Sequence, residues 1–256
     1  MKSTLGKWLF RYENIDQIHV IGCSRSGTTM MHAAMTAFDN VSVAAEETWS
    51  LHPTLGPRVQ IVRDFRARRI PRAVRKIFVT KRHHGWFEPD EQELLRGRFA
   101  SEHAGIVHVI RDPRDVLLSR HPESDRRRYV SVDYWRKSIE AAEWLRTRLE
   151  PLGRFVTVRY EDVVQRPRDV ERVLGDAFGL RLRAGAEIDR VEDSLRTSGA
   201  TILPYMASAM HGVRNADAKS IGKWRTAEDQ PEAELLADPA AAPLFREIAQ
   251  RYGYAA

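Results

Sequence analysis

Short apolar runs alternate along this chain with longer segments in which apolar residues recur every three or four positions. Runs rich in Val and Ile predict buried strands, and the periodic segments between them predict helices. The predicted strands cover residues 17–22, 41–45, 76–81, 105–111 and 154–161. The predicted helices cover residues 28–38, 90–99, 113–121, 131–150 and 167–179. This alternation indicates an α/β fold with a central, mostly parallel β-sheet flanked by helices.

The predicted elements follow one another without an internal repeat or a low-complexity linker. A chain of 256 residues is long enough to bury one large core, so we predict a single domain over residues 1–256. The most irregular stretch covers residues 198–231 and contains several Gly and Pro residues. We expect a long loop over a binding site there.

Composition narrows the class of partner and the cellular compartment. A net charge of +6 and a sequence pI near 9.6 favour an anionic partner. No apolar run approaches the roughly 20 residues of a membrane span, and the N-terminal residues do not resemble a secretory signal. A single cysteine, Cys23, excludes a disulfide framework within the chain. We therefore expect a cytoplasmic protein.

A strand, a glycine-containing turn and a helix start are predicted in succession over residues 17–29. At such a junction the first N–H groups of the helix lack intrahelical acceptors and the helix dipole adds positive charge, so an anion is favoured. Gly27 permits close approach of the backbone to a ligand, and Ser26, Thr28 and Thr29 add hydroxyl donors. Because Ser and Thr also cap helices, a purely structural role for this loop stays open at this point.

The loop lacks the lysine of an ATP-binding loop. Against the pattern G-x-x-x-x-G-K-[ST], Gly22, Gly27 and Thr29 match, but Thr28 stands where the lysine belongs. Arg25 supplies a cation two positions before the second glycine instead. The loop is therefore suited to a phosphate, but not in the manner of a typical ATP site.

The same residues carry a family resemblance. Residues 25–29, Arg-Ser-Gly-Thr-Thr, resemble the 5′-phosphosulfate loop P-[KR]-S-G-T-T of sulfotransferases that use 3′-phosphoadenosine 5′-phosphosulfate (PAPS). Ser24 replaces the proline of that pattern, and Met30 replaces the tryptophan of the cytosolic branch. The resemblance implies a P-loop NTPase-like fold, PAPS as donor, 3′-phosphoadenosine 5′-phosphate (PAP) as product and no metal. It also implies nucleotide contacts from Arg25, Ser26, Gly27, Thr28 and Thr29.

Three later segments extend the resemblance. Arg111 ends a predicted strand and Ser119 lies eight residues further on, the spacing of the family's 3′-phosphate motif. An arginine suits this task because it forms paired bonds to phosphate oxygens. The segment RYEDVVQRP is similar to one that places a tyrosine, here Tyr160, near the adenine. The segment SIGKWR is similar to one that closes over the nucleotide and implies a phosphate contact from Lys223.

Sulfuryl transfer needs a base for the acceptor hydroxyl and a cation for the leaving phosphate. Arg25 suits the second role. For the first, Glu47 belongs to a Glu-Glu-Thr segment that resembles the tyrosylprotein and carbohydrate-type branch, whereas His83 belongs to a Lys-x-His segment that resembles the cytosolic branch. We favour Glu47 and keep His83 as the alternative. The acceptor itself, a small-molecule or glycan hydroxyl, is not specified by the sequence, and neither is the oligomeric state.

Two other functions compete with this hypothesis. A nucleoside or small-molecule kinase would hold ATP and Mg²⁺ with Thr28 or Thr29 and use Asp112 as an acid at a strand end. A non-catalytic nucleic-acid-binding protein would use the arginine-rich residues 63–76. The missing lysine disfavours the first and the ordered motifs disfavour the second, so we expect no nucleic-acid partner. The histidines lack metal-ligand spacing.

Overall fold

The sheet predicted from the apolar runs is the centre of the structure. The computed structural model describes Ile15 and residues 17–43, 77–81, 87–89, 104–121, 124–197 and 215–254. Its strands are β1 (Gln17–Ile21), β2 (Val41–Val43), β3 (Ile77–Lys81), β4 (Ala104–Ile110) and β5 (Phe155–Arg159). They form one sheet in the order β2-β3-β1-β4-β5, and every neighbouring pair is parallel. The predicted α/β fold with a parallel sheet is confirmed.

The described helices lie between β1 and β2, between β4 and β5, and after β5. The described α-helices are α1 (Thr28–Ala34), α2 (Pro113–Leu118), α3 (Val132–Leu149), α4 (Tyr160–Gln165), α5 (Pro167–Phe178), α6 (Val191–Thr197), α7 (Pro231–Ala237) and α8 (Ala241–Tyr252). Short 3₁₀ turns cover Met35–Ala37, Glu150–Leu152, Ala218–Ser220 and Lys223–Arg225. Within the described residues, no helix has both the length and the apolar character needed to cross a bilayer.

The core lies on both faces of the sheet, which explains the continuous apolar runs. All seven residues of β4 are buried, because helices cover this central strand from both sides. On one face, α1 and α5 pack their apolar residues against β1 and β4. On the other, the apolar stripe of α3 places Trp135, Ile139 and Leu145 in the core. The periodicity of residues 131–150 therefore predicted both this helix and its buried face.

Two of the elements that end earlier than predicted are important for the site. The last strand was predicted to run through Glu161, but α4 begins at Tyr160, where two carboxylates in its first turn favour the positive end of the helix. The helix predicted over residues 113–121 ends at Leu118, and Ser119 has extended backbone angles. Residues 44–45, the predicted helix 90–99 and the first part of the predicted loop 198–231 lie outside the described residues.

Strand order places the loop after β1 beside the chain that leaves β4. The chain passes from β1 to the β2–β3 side of the sheet, and β4 then returns to the opposite side of β1. In open α/β sheets a ligand crevice forms where the connections diverge in this way, at the carboxyl ends of the strands. The loop that follows β1 and the residues that follow β4 meet at this point.

Candidate functional site

The loop after β1 has the backbone conformation of an anion cradle. Arg25 has φ 69° and Gly27 has φ 96°, and Arg25 is the one residue other than glycine with a positive φ in the described part of the chain. Alternation of right- and left-handed residues turns successive N–H groups toward a common centre. A non-glycine residue with positive φ costs free energy, and such strain is concentrated at functional sites. The backbone geometry therefore supports the predicted phosphate loop.

Ser26 holds this loop in place with its hydroxyl. Its Oγ lies 2.6 Å from the carbonyl oxygen of Cys23 and 3.1 Å from that of Val109, and its backbone N–H also donates to Cys23. Only 1% of Ser26 is exposed. The Ser26 hydroxyl thus ties the loop to β4, and a nucleotide contact from Ser26 stays a prediction.

Lys81 at the end of β3 adds a second cation beside the loop, which lacks the lysine of an ATP-binding loop. Its Nζ donates to Thr29 Oγ1 across 2.7 Å, and the lysine is buried. Thr29 is the residue that matches the Ser/Thr of an ATP-binding loop, and Thr28 next to it is buried at the helix start. A lysine from the neighbouring strand therefore adds positive charge at the N-terminus of α1.

Two arginines and a serine converge between β1 and β4. Arg25 Nε donates to Ser119 Oγ at 3.1 Å, and Arg111 Nη1 donates to the carbonyl oxygen of Arg25 at 3.1 Å. Burial lowers the pKa of the Arg25 guanidinium, and the positive charge of Arg111 lowers it further. Two partly desolvated cations this close together are stabilised by an anion between them. The predicted 5′ and 3′ phosphate motifs are therefore in direct contact.

Tyr160 lies over the loop and beside Arg111. A Cβ added to Gly27 would lie 2.5 Å from Cδ2 of the Tyr160 ring, so only glycine fits between loop and ring. The guanidinium carbon of Arg111 stands 4.7 Å from the ring centroid, within range of a cation–π contact. The Tyr160 hydroxyl shares a hydrogen bond of 2.5 Å with Ser220 Oγ. Tyr160 thus joins the loop, Arg111 and the chain near residue 220.

Residues 220–225 cross the site and are fastened to α2. Arg111 Nη2 donates to the carbonyl oxygen of Ser220, and the carboxylate of Asp115 accepts hydrogen bonds from the N–H groups of Gly222 and Trp224. Lys223 lies between those two amides, and its side chain is exposed. The segment predicted to close over a nucleotide is therefore next to Arg111.

Comparison with known proteins agrees with this geometry. Residues 94–184 match the sequence model described as the Sulfotransferase family. The fold matches the sulfotransferase domain of the Synechococcus PCC 7002 olefin synthase with a TM-score of 0.62 and 19% identity, over 96% of this chain and 97% of that one. It also matches the sulfotransferase domain of the curacin biosynthetic pathway with a TM-score of 0.63 and 16% identity, over 95% and 99% of the two chains.

The predicted resemblance to the sulfotransferases is confirmed. A third match, at a TM-score of 0.45 and 12% identity over 96% of this chain and 93% of that one, is a mouse sulfotransferase complexed with PAP. No curated protein sequence matches the chain significantly.

Several residues of this sulfotransferase fold carry no signal in the sequence that identifies them as site residues. Asp115 and Arg114 resemble ordinary residues of a helix start, and their importance depends on the return of the chain near residue 222. Ser24 Oγ lies 2.9 Å from the hydroxyl of Tyr134, whose ring meets that of Phe87 edge-on at 4.8 Å. The one hint in the sequence of a contact between Trp224 and Arg114 is that each residue lies near a predicted phosphate ligand.

Both residues predicted as the catalytic base, Glu47 and His83, lie outside the described residues. Each follows a strand whose described part ends at the crevice, since Glu47 comes four residues after β2 and His83 two residues after β3. Their assignment remains a prediction. Among the residues that the structure describes, no three His, Cys, Asp or Glu side chains are grouped as metal ligands would be.

Proposed function

We propose that this protein transfers a sulfuryl group from PAPS to a hydroxyl acceptor. The observation that carries the proposal is the convergence of Arg25, Ser119 and Arg111 at the carboxyl ends of β1 and β4. The loop before α1, with positive φ at Arg25 and Gly27, suits a 5′-phosphate, and the second cationic group, Arg111, suits a 3′-phosphate. A nucleotide with phosphates at both positions is the ligand that uses both features.

The residues present fit such a nucleotide. Arg111 is 7% exposed, and its Nε has no hydrogen-bond acceptor among the residues that the structure describes. A buried donor left in this state costs free energy, so a ligand oxygen that accepts from Arg111 is favoured. Tyr160 and Gly27 form a flat, closely packed wall beside this guanidinium, which suits an aromatic base or its ribose.

In the proposed reaction the acceptor oxygen attacks sulfur in line with the departing 5′-phosphate. The new O–S bond forms as the bond between sulfur and the bridging phosphate oxygen breaks, and PAP leaves with the electron pair of that bond. Arg25, Lys81 and the loop N–H groups stabilise the charge that grows on the leaving oxygen. Glu47, with His83 as the alternative, accepts the proton of the acceptor hydroxyl.

One contact weighs against the kinase alternative. A kinase would need Asp112 as a free acid at the end of β4, but both carboxylate oxygens of Asp112 accept hydrogen bonds from Arg114, at 2.9 and 3.0 Å. Asp112 also caps α2 and lies buried within this pair. Its carboxylate therefore stabilises the junction between β4 and α2.

Calorimetry with the purified protein tests the proposal. We expect PAP to bind with micromolar or tighter affinity in the presence of a metal chelator, and labelled PAPS to transfer its sulfuryl group to at least one compound in a panel of alcohols, phenols and sugars. ATP that binds only with Mg²⁺, together with no detectable PAP binding, would contradict it. The panel also identifies the acceptor, which the proposal leaves at the level of a small-molecule or glycan hydroxyl.

A further inference from the structure

The segment of residues 220–225 is held in place by a buried carboxylate that nothing in the reaction itself requires. Resting on the proposed function, we propose that Asp115 is a positioning residue for the donor nucleotide. Its carboxylate fixes the backbone on both sides of Lys223 and thereby sets where that lysine meets a phosphate. Asp115 itself does not touch the nucleotide.

Both oxygens of Asp115 are used for this purpose. Oδ2 accepts from the N–H of Gly222 at 2.6 Å, and Oδ1 accepts from the N–H of Trp224 at 3.2 Å. The side chain is 1% exposed, so water does not compete for these bonds. Hydrogen bonds to an ionised acceptor are about twice as strong as neutral ones. Lys223 is the residue between the two bonded amides, so its Cα position follows from them.

A second contact fixes the same turn from its side. The guanidinium carbon of Arg114 stands 3.6 Å from the centroid of the Trp224 ring, and Arg114 is fully buried. Arg114 cannot shift freely, because it is paired with Asp112 at 2.9 Å and with Glu232 at 3.2 Å. The ring of Trp224 therefore rests on a rigid cation at the start of α2.

Both parts of the segment are hydrogen-bonded to the same short helix or to the residues just before it. Ser220 accepts from Arg111, which directly precedes α2, while Gly222 and Trp224 donate to Asp115 in the first turn of α2. Any displacement of Lys223 relative to Arg111 must break at least one of these contacts. The distance between the two predicted phosphate ligands is thus set by five residues of chain, Arg111 to Asp115.

The test compares Asp115→Asn with Lys223→Ala and with the double variant. Asparagine keeps the shape of the side chain, but its NH₂ group would face one of the two amide donors. We expect Asp115→Asn to weaken PAP binding and raise the KM for PAPS about tenfold, the effect of one lost charge-assisted bond, with the acceptor KM nearly unchanged. If Asp115 acts through Lys223, the double variant binds PAP no more weakly than Lys223→Ala alone.

A control and a second variant guard against a folding defect. Asp169→Asn changes an exposed carboxylate on α5 and should leave PAP affinity unchanged. Should Asp115→Asn fail to give a cooperative thermal transition, Trp224→Ala replaces it in the same cycle with Lys223→Ala, with the same expected non-additivity. If the wild-type protein binds PAP, either of two results would overturn the positioning role alone. In the first, Asp115→Asn, or Trp224→Ala in its place, binds PAP as tightly as wild type. In the second, its effect on PAP affinity multiplies with that of Lys223→Ala. Wild-type protein that does not bind PAP overturns the proposed function, and this inference with it.

Discussion

Arg25 and Ser119, 94 positions apart in the sequence, form a direct hydrogen bond of 3.1 Å from Nε to Oγ. One belongs to the loop after β1 and the other follows α2, so the bond joins the two predicted phosphate sites. It also restrains the orientation of the Arg25 guanidinium. The two sites therefore form one binding surface whose parts depend on each other.

We expect Arg25→Ala to weaken PAP binding about ten- to hundredfold, since charged hydrogen bonds contribute about 1.5–3 kcal/mol. Ser119→Ala should weaken it less, and the double variant should show a coupling between the two sites in a double-mutant cycle. Titration calorimetry in the presence of a chelator measures all three. Arg172→Ala, which removes an exposed arginine from α5, is the control. Strictly additive effects would show that the Arg25–Ser119 bond does not serve the ligand.

Gly27 makes a second prediction, which concerns stability. An alanine there would combine a left-handed backbone with a Cβ 2.5 Å from the Tyr160 ring. A left-handed L-residue costs about 1–2 kcal/mol, and displacement of a packed ring adds a cost of about 1–3 kcal/mol. Urea unfolding of Gly27→Ala should therefore show a loss above about 2 kcal/mol, together with weak PAP binding.

Gly185 provides a matched control for this substitution. It has φ 75°, but a Cβ there would meet nothing within 4 Å. Gly185→Ala should therefore show the backbone cost alone, about 1–2 kcal/mol. Equal losses for the two variants would mean that the Tyr160 ring moves aside without cost, and that the close packing of ring and loop is unimportant.

The elements that position the site followed from the sequence because each has a local cause. Apolar runs predicted all five strands of the sheet, and the loop motif predicted the strand–turn–helix junction at Gly27. The motifs at Arg111 and Ser119 predicted a second anion site, although the helix between them is shorter than expected. These features depend on neighbours in the chain, which a single sequence displays.

The remaining parts of the site depend on contacts between distant segments. The bond from Lys81 to Thr29 requires β3 to lie beside β1, and a pattern of apolar residues does not fix strand order. Asp115 accepts hydrogen bonds from two backbone amides of a segment more than 100 residues away, and the ring of Trp224 in that segment packs against the neighbouring Arg114. The bond from Ser26 to the carbonyl oxygen of Val109 likewise joins segments that are distant in the sequence, and the motif alone did not predict it.

The choice between Glu47 and His83 gives a third prediction. Glu47→Gln should reduce kcat at least about 10²-fold, the usual contribution of a general base, with PAP affinity within about twofold of wild type. His83→Gln should reduce kcat far less. Single-turnover transfer from labelled PAPS to an acceptor found in the panel measures this step. The reverse ranking of the two variants would assign the base to His83.

Two buried histidines predict how stability changes with pH. Burial lowers the pKa of His32 to about 3, with the charge of Lys81 acting in the same direction, and burial lowers the pKa of His108 to about 4. Both side chains are therefore neutral in the folded protein above these values. In the unfolded chain a histidine takes up its proton near pH 6.5. The unfolded state thus binds more protons as pH falls, and the folded state loses stability.

The stability from these two groups is fully present above about pH 6.5 and is lost as pH falls toward their folded pKa values, by about 1.4 kcal/mol per pH unit for each histidine. Urea unfolding at intervals between pH 7 and pH 5 should show this slope, in a range where most carboxylates remain ionised. His108→Gln should reduce the slope by about half and leave the contribution of His32. A pH-independent free energy of unfolding in this range, or an unchanged slope in His108→Gln, would show that the buried imidazole at β4 becomes protonated without unfolding.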